Sequence, residues 1–121
     1  MDIDKFKVIN DAYGHLEGDN ALVKIAAVLN GICDRHNDFV ARYGGDEFVI
    51  VCRRKSVVEV EALKAEINNA VSQLNRKENL PYVLSLSIGS AKFDRSKSND
   101  EIFAEADKKL YCIKSGRATA K

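Results

Sequence analysis

Two runs rich in Val, Ile and aromatic residues, 39–43 and 47–52, flank the pair Gly44-Gly45. β-Branched and aromatic residues favour strands. A glycine pair between such runs predicts a tight hairpin turn, whose central residues need positive φ. A hairpin must bury one face, so what surrounds it decides the fold class.

What surrounds it is helical in pattern. Residues 4–13 carry Phe6, Ile9 and Tyr13 at helical spacing, with Asp4 as a cap and Gly14 as a stop. Residues 18–34 put Leu22, Ile25, Ala26, Leu29 and Ile32 on one face. Residues 57–78 put Val60, Leu63, Ile67, Val71 and Leu74 on one stripe, behind a capping box of Ser56 and Glu59. Residues 82–93 contain Val83, Leu84, Leu86 and Ile88 and are predicted to be a strand. A second capping box, Ser98 and Glu101, precedes Ile102, Phe103, Ala106, Leu110 and Ile113 on one face, with Gly116 as the stop. The order helix, helix, strand, strand, helix, strand, helix predicts an α+β sheet with helices packed on it. Met1-Asp2-Ile3 reads as the tail of a further strand.

Composition narrows the function classes. The 121 residues carry 19 Lys and Arg against 18 Asp and Glu, a near-cancellation that argues against wrapping nucleic acid or an anionic membrane. The apolar runs are too short to span a bilayer, and with Asp2, Asp4 and Lys5 at the start no signal peptide is expected. Cys33, Cys52 and Cys112 form no CxxC pair, which speaks against a zinc knuckle and for a reducing, cytoplasmic setting. The expectation is one domain over residues 1–121.

Several groups could carry chemistry. Asp46 and Glu47 follow the glycine turn directly, and adjacent carboxylates repel unless a cation or proton intervenes. Mg²⁺ would suit such hard oxygen ligands, and Gly44 and Gly45 would let a ligand approach the backbone. The plainer alternative is a hairpin turn with solvated acids. Asp2 and Asp4 form a second pair, with Asp4 better explained as a helix cap and Asp2 the better ligand if it neighbours the hairpin tip. Asn10 and Asp19 have the donors and acceptors to read a purine edge, although turn and cap chemistry explains them as well. His15 is a loop histidine near them. Lys7, Lys114 and Arg117 could hold phosphates or simply be solvated. Arg35 and Asp38 could pair with each other or present a guanidinium and a carboxylate to a nucleotide.

Taken together, Asp2-Ile3-Asp4-Lys5-Phe6-Lys7, Ile9-Asn10-Asp11, Gly14-His15, Gly18-Asp19 and Arg42-Tyr43-Gly44-Gly45-Asp46-Glu47-Phe48 resemble the GGDEF-domain diguanylate cyclases. So do Leu84-Ser85-Leu86-Ser87-Ile88-Gly89 and, in the last helix, Ala106-Asp107 with Leu110-Tyr111 and Lys114. The resemblance implies a nucleotidyl-cyclase-like, ferredoxin-like fold, with a central mostly antiparallel sheet flanked by helices. It also implies that the family's first helix and most of its first strand would precede Asp2. The implied activity is condensation of two GTP into cyclic di-GMP with release of pyrophosphate, each domain of a homodimer holding one GTP. By the same resemblance Asp2, the Ile3 carbonyl, Asp46 and Glu47 would hold Mg²⁺ or Mn²⁺. Glu47 would alternatively activate the ribose 3′-hydroxyl, with Asp46 beside it in the catalytic pair. Asn10 and Asp19 would read guanine with His15 close by, and Lys7, Lys114 and Arg117 would bind phosphates. Arg35 and Asp38 match the family's RxxD inhibitory site for the product. The alternative is a catalytically weak or inactive domain that binds cyclic di-GMP or GTP.

Overall fold

The computed structural model describes residues 1–53 and 56–119, without the side chains of 115–119. The elements run β1 (Asp2–Ile3), α1 (Phe6–Tyr13), α2 (His15–His36), β2 (Phe39–Gly44), β3 (Glu47–Val51), α3 (Val57–Glu78), β4 (Leu86–Ser87) and α4 (Asn99–Thr119). The sheet is antiparallel, in the order β2-β3-β1-β4. The expected α+β architecture is therefore present, and the tail of a strand at the start of the chain is β1.

Two compact units divide the chain, Asp2–Leu86 and the segment from Ser87 onward with Met1. In the first, α2 contributes Ala21, Leu22, Ile25, Leu29 and Ile32 to the core, and α3 contributes Leu63, Ile67 and Val71. Of the stripes that helical periodicity marks out, Ala26, Val60 and Leu74 are only half-buried, and Ala21 joins the core from beside them. Ile3 and Phe48 fill the core from β1 and β3. The hairpin register is continuous from Phe39↔Val51 to Arg42↔Phe48, then shifts so that Gly44 faces Glu47. That shift leaves Tyr43 as an extra residue, a bulge that bends the strand at the turn.

Within the second unit, the expected capping box closes in both directions. The Glu101 N–H donates to Ser98 Oγ at 3.1 Å, and the Ser98 N–H donates to Glu101 Oε1 at 3.2 Å. Gly89 lies flat on α4: a Cβ there would come within 2.4 Å of the Ala106 carbonyl oxygen.

Several local expectations fail, the loop placement of His15 among them: α2 begins at His15, because Gly14 alone separates the two helices. The helix after Ile3 starts at Phe6 rather than residue 4, with left-handed Lys5 at its cap and no side-chain cap bond. Asp4 instead faces Ser85, just before β4: its N–H donates to the Ser85 carbonyl at 2.9 Å and its Oδ2 accepts from Ser85 Oγ at 2.7 Å. The hairpin needs no left-handed glycine, because the bulge supplies the bend and Gly14 is the glycine with positive φ among the described residues. The run 82–93 narrows to the two residues of β4; on its N-terminal side the Asn75 side chain takes both main-chain groups of Leu84, Nδ2 donating to its carbonyl at 2.7 Å and Oδ1 accepting from its N–H at 2.9 Å. Lastly, α4 runs past Gly116 to Thr119. Among the described residues no helix is long and apolar enough to cross a membrane.

Candidate functional site at the hairpin tip and the α1–α2 corner

Strand pairing brings together acidic positions from the two candidate pairs. Asp2 on β1 is directly opposite Glu47 on β3, and the Ile3 N–H donates to the Asp46 carbonyl at 3.2 Å. Residues opposed in an antiparallel pair share a face, with Cβ atoms roughly 5 Å apart, and like charges there are destabilising. One oxygen of Asp2, Oδ1, is buried. Asp46 sits in the turn beside them. The turn is held from behind, since Arg42 Nε donates to the Gly45 carbonyl at 3.0 Å. Above Gly44 and Gly45 the space is open: a Cβ on either would meet no atom within 4 Å. Nothing in the protein's own packing calls for glycine there.

The donor set at this tip is all oxygen. Asp2, Asp46 and Glu47 offer carboxylates, and the Ile3 main chain adds a carbonyl oxygen beside them. Among the described residues no three His, Cys, Asp or Glu side chains already form a ligating cluster. A site here would combine carboxylates with main-chain and ligand oxygens, the coordination that Mg²⁺ favours because it retains water and shares phosphate oxygens. The residues fit a hard divalent cation.

The α1–α2 corner gathers the second set. Gly14 breaks the two helices apart with φ 91° and ψ 162°, and its N–H closes α1 on the Asn10 carbonyl at 2.8 Å. Asn10 is half-buried on α1 and lays its carboxamide against Gly18, while Asp19 and His15 are exposed on the first turns of α2. Lys7 is exposed on α1. Two tyrosines tie this corner down. The Tyr13 and Tyr82 rings pack at a tilt of 51°, 5.2 Å between ring centres. The Tyr82 hydroxyl donates to Glu17 Oε1 at 2.7 Å, and the Tyr13 hydroxyl donates to the Pro81 carbonyl at 2.9 Å. Burial, then the Glu17 bond, pushes the Tyr82 phenol well above the usual tyrosine range. Between α2 and the hairpin runs a groove of about 300 Å³, lined by Leu22, Ala26 and Asn30 of α2 and by Val40, Arg42 and Phe48 of the hairpin.

Arg35 and Asp38 flank the end of α2. Arg35 is engaged by a residue that sequence spacing did not bring forward: Glu66 of α3 accepts from Arg35 Nη2 at 2.5 Å and meets His36 Nε2 at 2.9 Å. The Arg35 bond, followed by that of His36, holds the Glu66 carboxyl below the usual range. The Asp38 N–H donates to the Cys33 carbonyl at 2.9 Å, closing the helix. Lys114 is half-buried on α4, in the second unit. The Arg117 side chain lies outside the described residues.

Comparison with known proteins decides the family. Residues 1–119 match the family model described as diguanylate cyclase, GGDEF domain. The chain belongs to the GGDEF domain family. This GGDEF domain is 38% identical over 117 residues to diguanylate cyclase DosC of Escherichia coli, covering 94% of the chain and 25% of DosC. It is 35% identical over 114 residues to diguanylate cyclase A of Treponema denticola, covering 92% of the chain and 30% of that protein. The chain thus spans about a quarter of the length of the curated relatives it matches. Among solved structures, the GGDEF domain of DgcB from Caulobacter crescentus in complex with c-di-GMP superposes with a TM-score of 0.83 at 33% identity, over 95% of this chain and 69% of that one. The active GGEEF domain of a Vibrio cholerae diguanylate cyclase superposes with a TM-score of 0.76 at 29% identity, over 95% and 73%.

Proposed function

We propose that this GGDEF domain is a diguanylate cyclase module that condenses two GTP into cyclic di-GMP and releases two pyrophosphates. The observation that carries the reading is the facing of Asp2 and Glu47 beside Asp46, at a turn whose two glycines leave open space. Asp2, Asp46, Glu47 and the Ile3 carbonyl would hold Mg²⁺ or Mn²⁺. When bound, the ion would neutralise phosphate charge and acidify a nearby hydroxyl.

The chain's own groups supply the rest. Asn10 and Asp19 read the guanine edge, with His15 beside them, and a wrong base leaves their polar atoms unpaired. Lys7 offers a cation to the phosphates. Gly44 and Gly45 let the triphosphate lie close to the backbone, and Arg42 fixes the turn that receives it. In the reaction, the 3′-hydroxyl of one GTP attacks the α-phosphorus of the other and displaces pyrophosphate. In this reading Glu47, where it does not ligate the ion, takes the hydroxyl proton. The step depends on positioning and charge neutralisation more than on a covalent intermediate. Each domain holds one GTP, so the active form is two domains face to face.

Arg35 and Asp38 are proposed as the product-binding site, where cyclic di-GMP would compete with Glu66 for the guanidinium. The relatives support this reading through their names as diguanylate cyclases and through c-di-GMP in the DgcB complex. The test is incubation of the chain with GTP and Mg²⁺, followed by chromatography of the nucleotides. Cyclic di-GMP should accumulate with wild type and not with Glu47→Gln. Equal product from both would refute the assignment of Glu47.

A further inference from the structure

Gly18 is buried in the first turn of α2, and its N–H donates to the Gly14 carbonyl at 3.1 Å. The space where its side chain would be is taken. A Cβ on residue 18 would lie 1.8 Å from Asn10 Oδ1, 2.8 Å from Asn10 Cγ and 3.4 Å from Asn10 Nδ2. Two of these distances are shorter than van der Waals contact allows, so no other residue leaves the Asn10 carboxamide where it is. The main chain of Asn10 is also fixed, because its carbonyl accepts the Gly14 N–H that ends α1. The amide is thereby held at both ends, its root by the helix stop and its tip by the bare α-carbon of α2. Asp19, the other base-reading group, follows Gly18 directly in sequence.

We infer that Gly18 is a positioning residue for base selection: it provides the seat that orients the Asn10 carboxamide, and any larger residue there turns that amide away from the base. The inference rests on Asn10 reading guanine and adds how its orientation is set.

The chemistry of the clash separates this role from a merely structural one. The atoms that a Cβ would meet belong to the free end of a side chain, not to backbone. Asn10 relieves the overlap by rotating about its own side-chain bonds, and alanine suits a helix better than glycine does. The fold therefore tolerates Gly18→Ala, and the loss falls on recognition. A misaligned amide forfeits its hydrogen bonds to guanine, which corresponds to about tenfold in affinity. Adenine gained little from those bonds, so its binding changes little.

The test is a double-mutant cycle on the full chain, with calorimetric titration of GTP and of ATP in Mg²⁺ and circular dichroism as the fold control. Gly18→Ala should keep the wild-type spectrum and melting cooperativity, weaken GTP about tenfold and leave ATP within about twofold. In an Asn10→Ala background, where nothing remains to displace, the same substitution should change GTP binding less than twofold. The side-chain amide resonances of Asn10 should move in Gly18→Ala. An unchanged GTP-to-ATP ratio in Gly18→Ala overturns the inference, as does an equal penalty in both backgrounds or a Gly18→Ala chain that does not fold. If Asn10→Ala alone leaves the ratio unchanged, the guanine-reading assignment itself is wrong and the inference falls with it. A ratio lowered by Asn10→Ala but not by Gly18→Ala refutes the inference alone.

Discussion

Asn75→Ala should be among the costly single changes in the first unit, although position 75 lies outside the apolar stripe of α3. Its carboxamide is the partner of both the N–H and the C=O of Leu84, at 2.9 and 2.7 Å. The Leu84 residue is 1% exposed, so the orphaned groups cannot rehydrate without opening the segment. A buried group left unsatisfied costs about 1–3 kcal/mol. Two such groups sum to about 2–6 kcal/mol, the lower half applying because Asn75 itself is only half-buried and water can follow. Alanine returns about 0.6 kcal/mol in helix propensity. The net expectation is a loss of about 2–3 kcal/mol. Urea unfolding followed by circular dichroism measures it, as a midpoint lowered by about 1–2 M at unchanged slope. Asn75→Asp should be no better at neutral pH, since it keeps the acceptor for the Leu84 N–H but turns a carboxylate oxygen toward the carbonyl. An Asn75→Ala midpoint within experimental scatter of wild type would show that Leu84 is held by something other than this bracket.

Other changes test the corner and the end of α2. Tyr82→Phe removes a 2.7 Å bond to Glu17 and should cost about 1–2 kcal/mol below pH 9. Because the folded-state pKa of Tyr82 is raised, its contribution is complete below the unfolded tyrosine value near 10 and fades as pH rises beyond it. Wild type and variant should therefore converge in alkaline melts, and a constant gap would contradict the assignment. Glu66→Gln should tighten cyclic di-GMP binding by freeing Arg35, measured by calorimetry, while Arg35→Ala should abolish it. Glu66 has a lowered folded-state pKa, so its stabilising contribution is complete above about pH 4.5 and is lost as pH falls through that lowered value. The stability gap between wild type and Glu66→Gln should shrink over that acidic range.

Much of the fold was legible because local rules and burial agree. The stripes on α2 and α3 follow a 3.6-residue period, and the capping boxes at Ser56 and Ser98 mark helix starts that the structure keeps. The hairpin was legible from residue type, yet its turn chemistry was not, since a bulge at Tyr43 replaced the left-handed glycines. The strand expected at 82–93 is present only as Leu86–Ser87, and its start is cut back by a side chain from α3. Alternation predicts which faces side chains occupy, but ladder bonds need free main-chain groups, and Asn75 had taken those of Leu84. In the site, the motif residues stand out by type and order. What holds them does not. Glu66 reaches Arg35 across 31 positions of sequence, and Gly18 reads as turn chemistry until its empty side-chain position is seen filled by Asn10. Pairing signals of that kind live in tertiary geometry, beyond helical or strand periodicity.

The claim at the centre is that Asp2, Asp46 and Glu47 grip a divalent cation and, through it, a guanosine triphosphate. Calorimetric titration of GTP into wild type, Asp2→Asn and Glu47→Gln, with Mg²⁺ and then with a chelator, measures this directly. The account predicts Mg²⁺-dependent binding to wild type that weakens at least about tenfold in each variant, as expected when a charge-assisted oxygen ligand is lost. Binding of equal strength in the chelator, or unchanged by both substitutions, would contradict it.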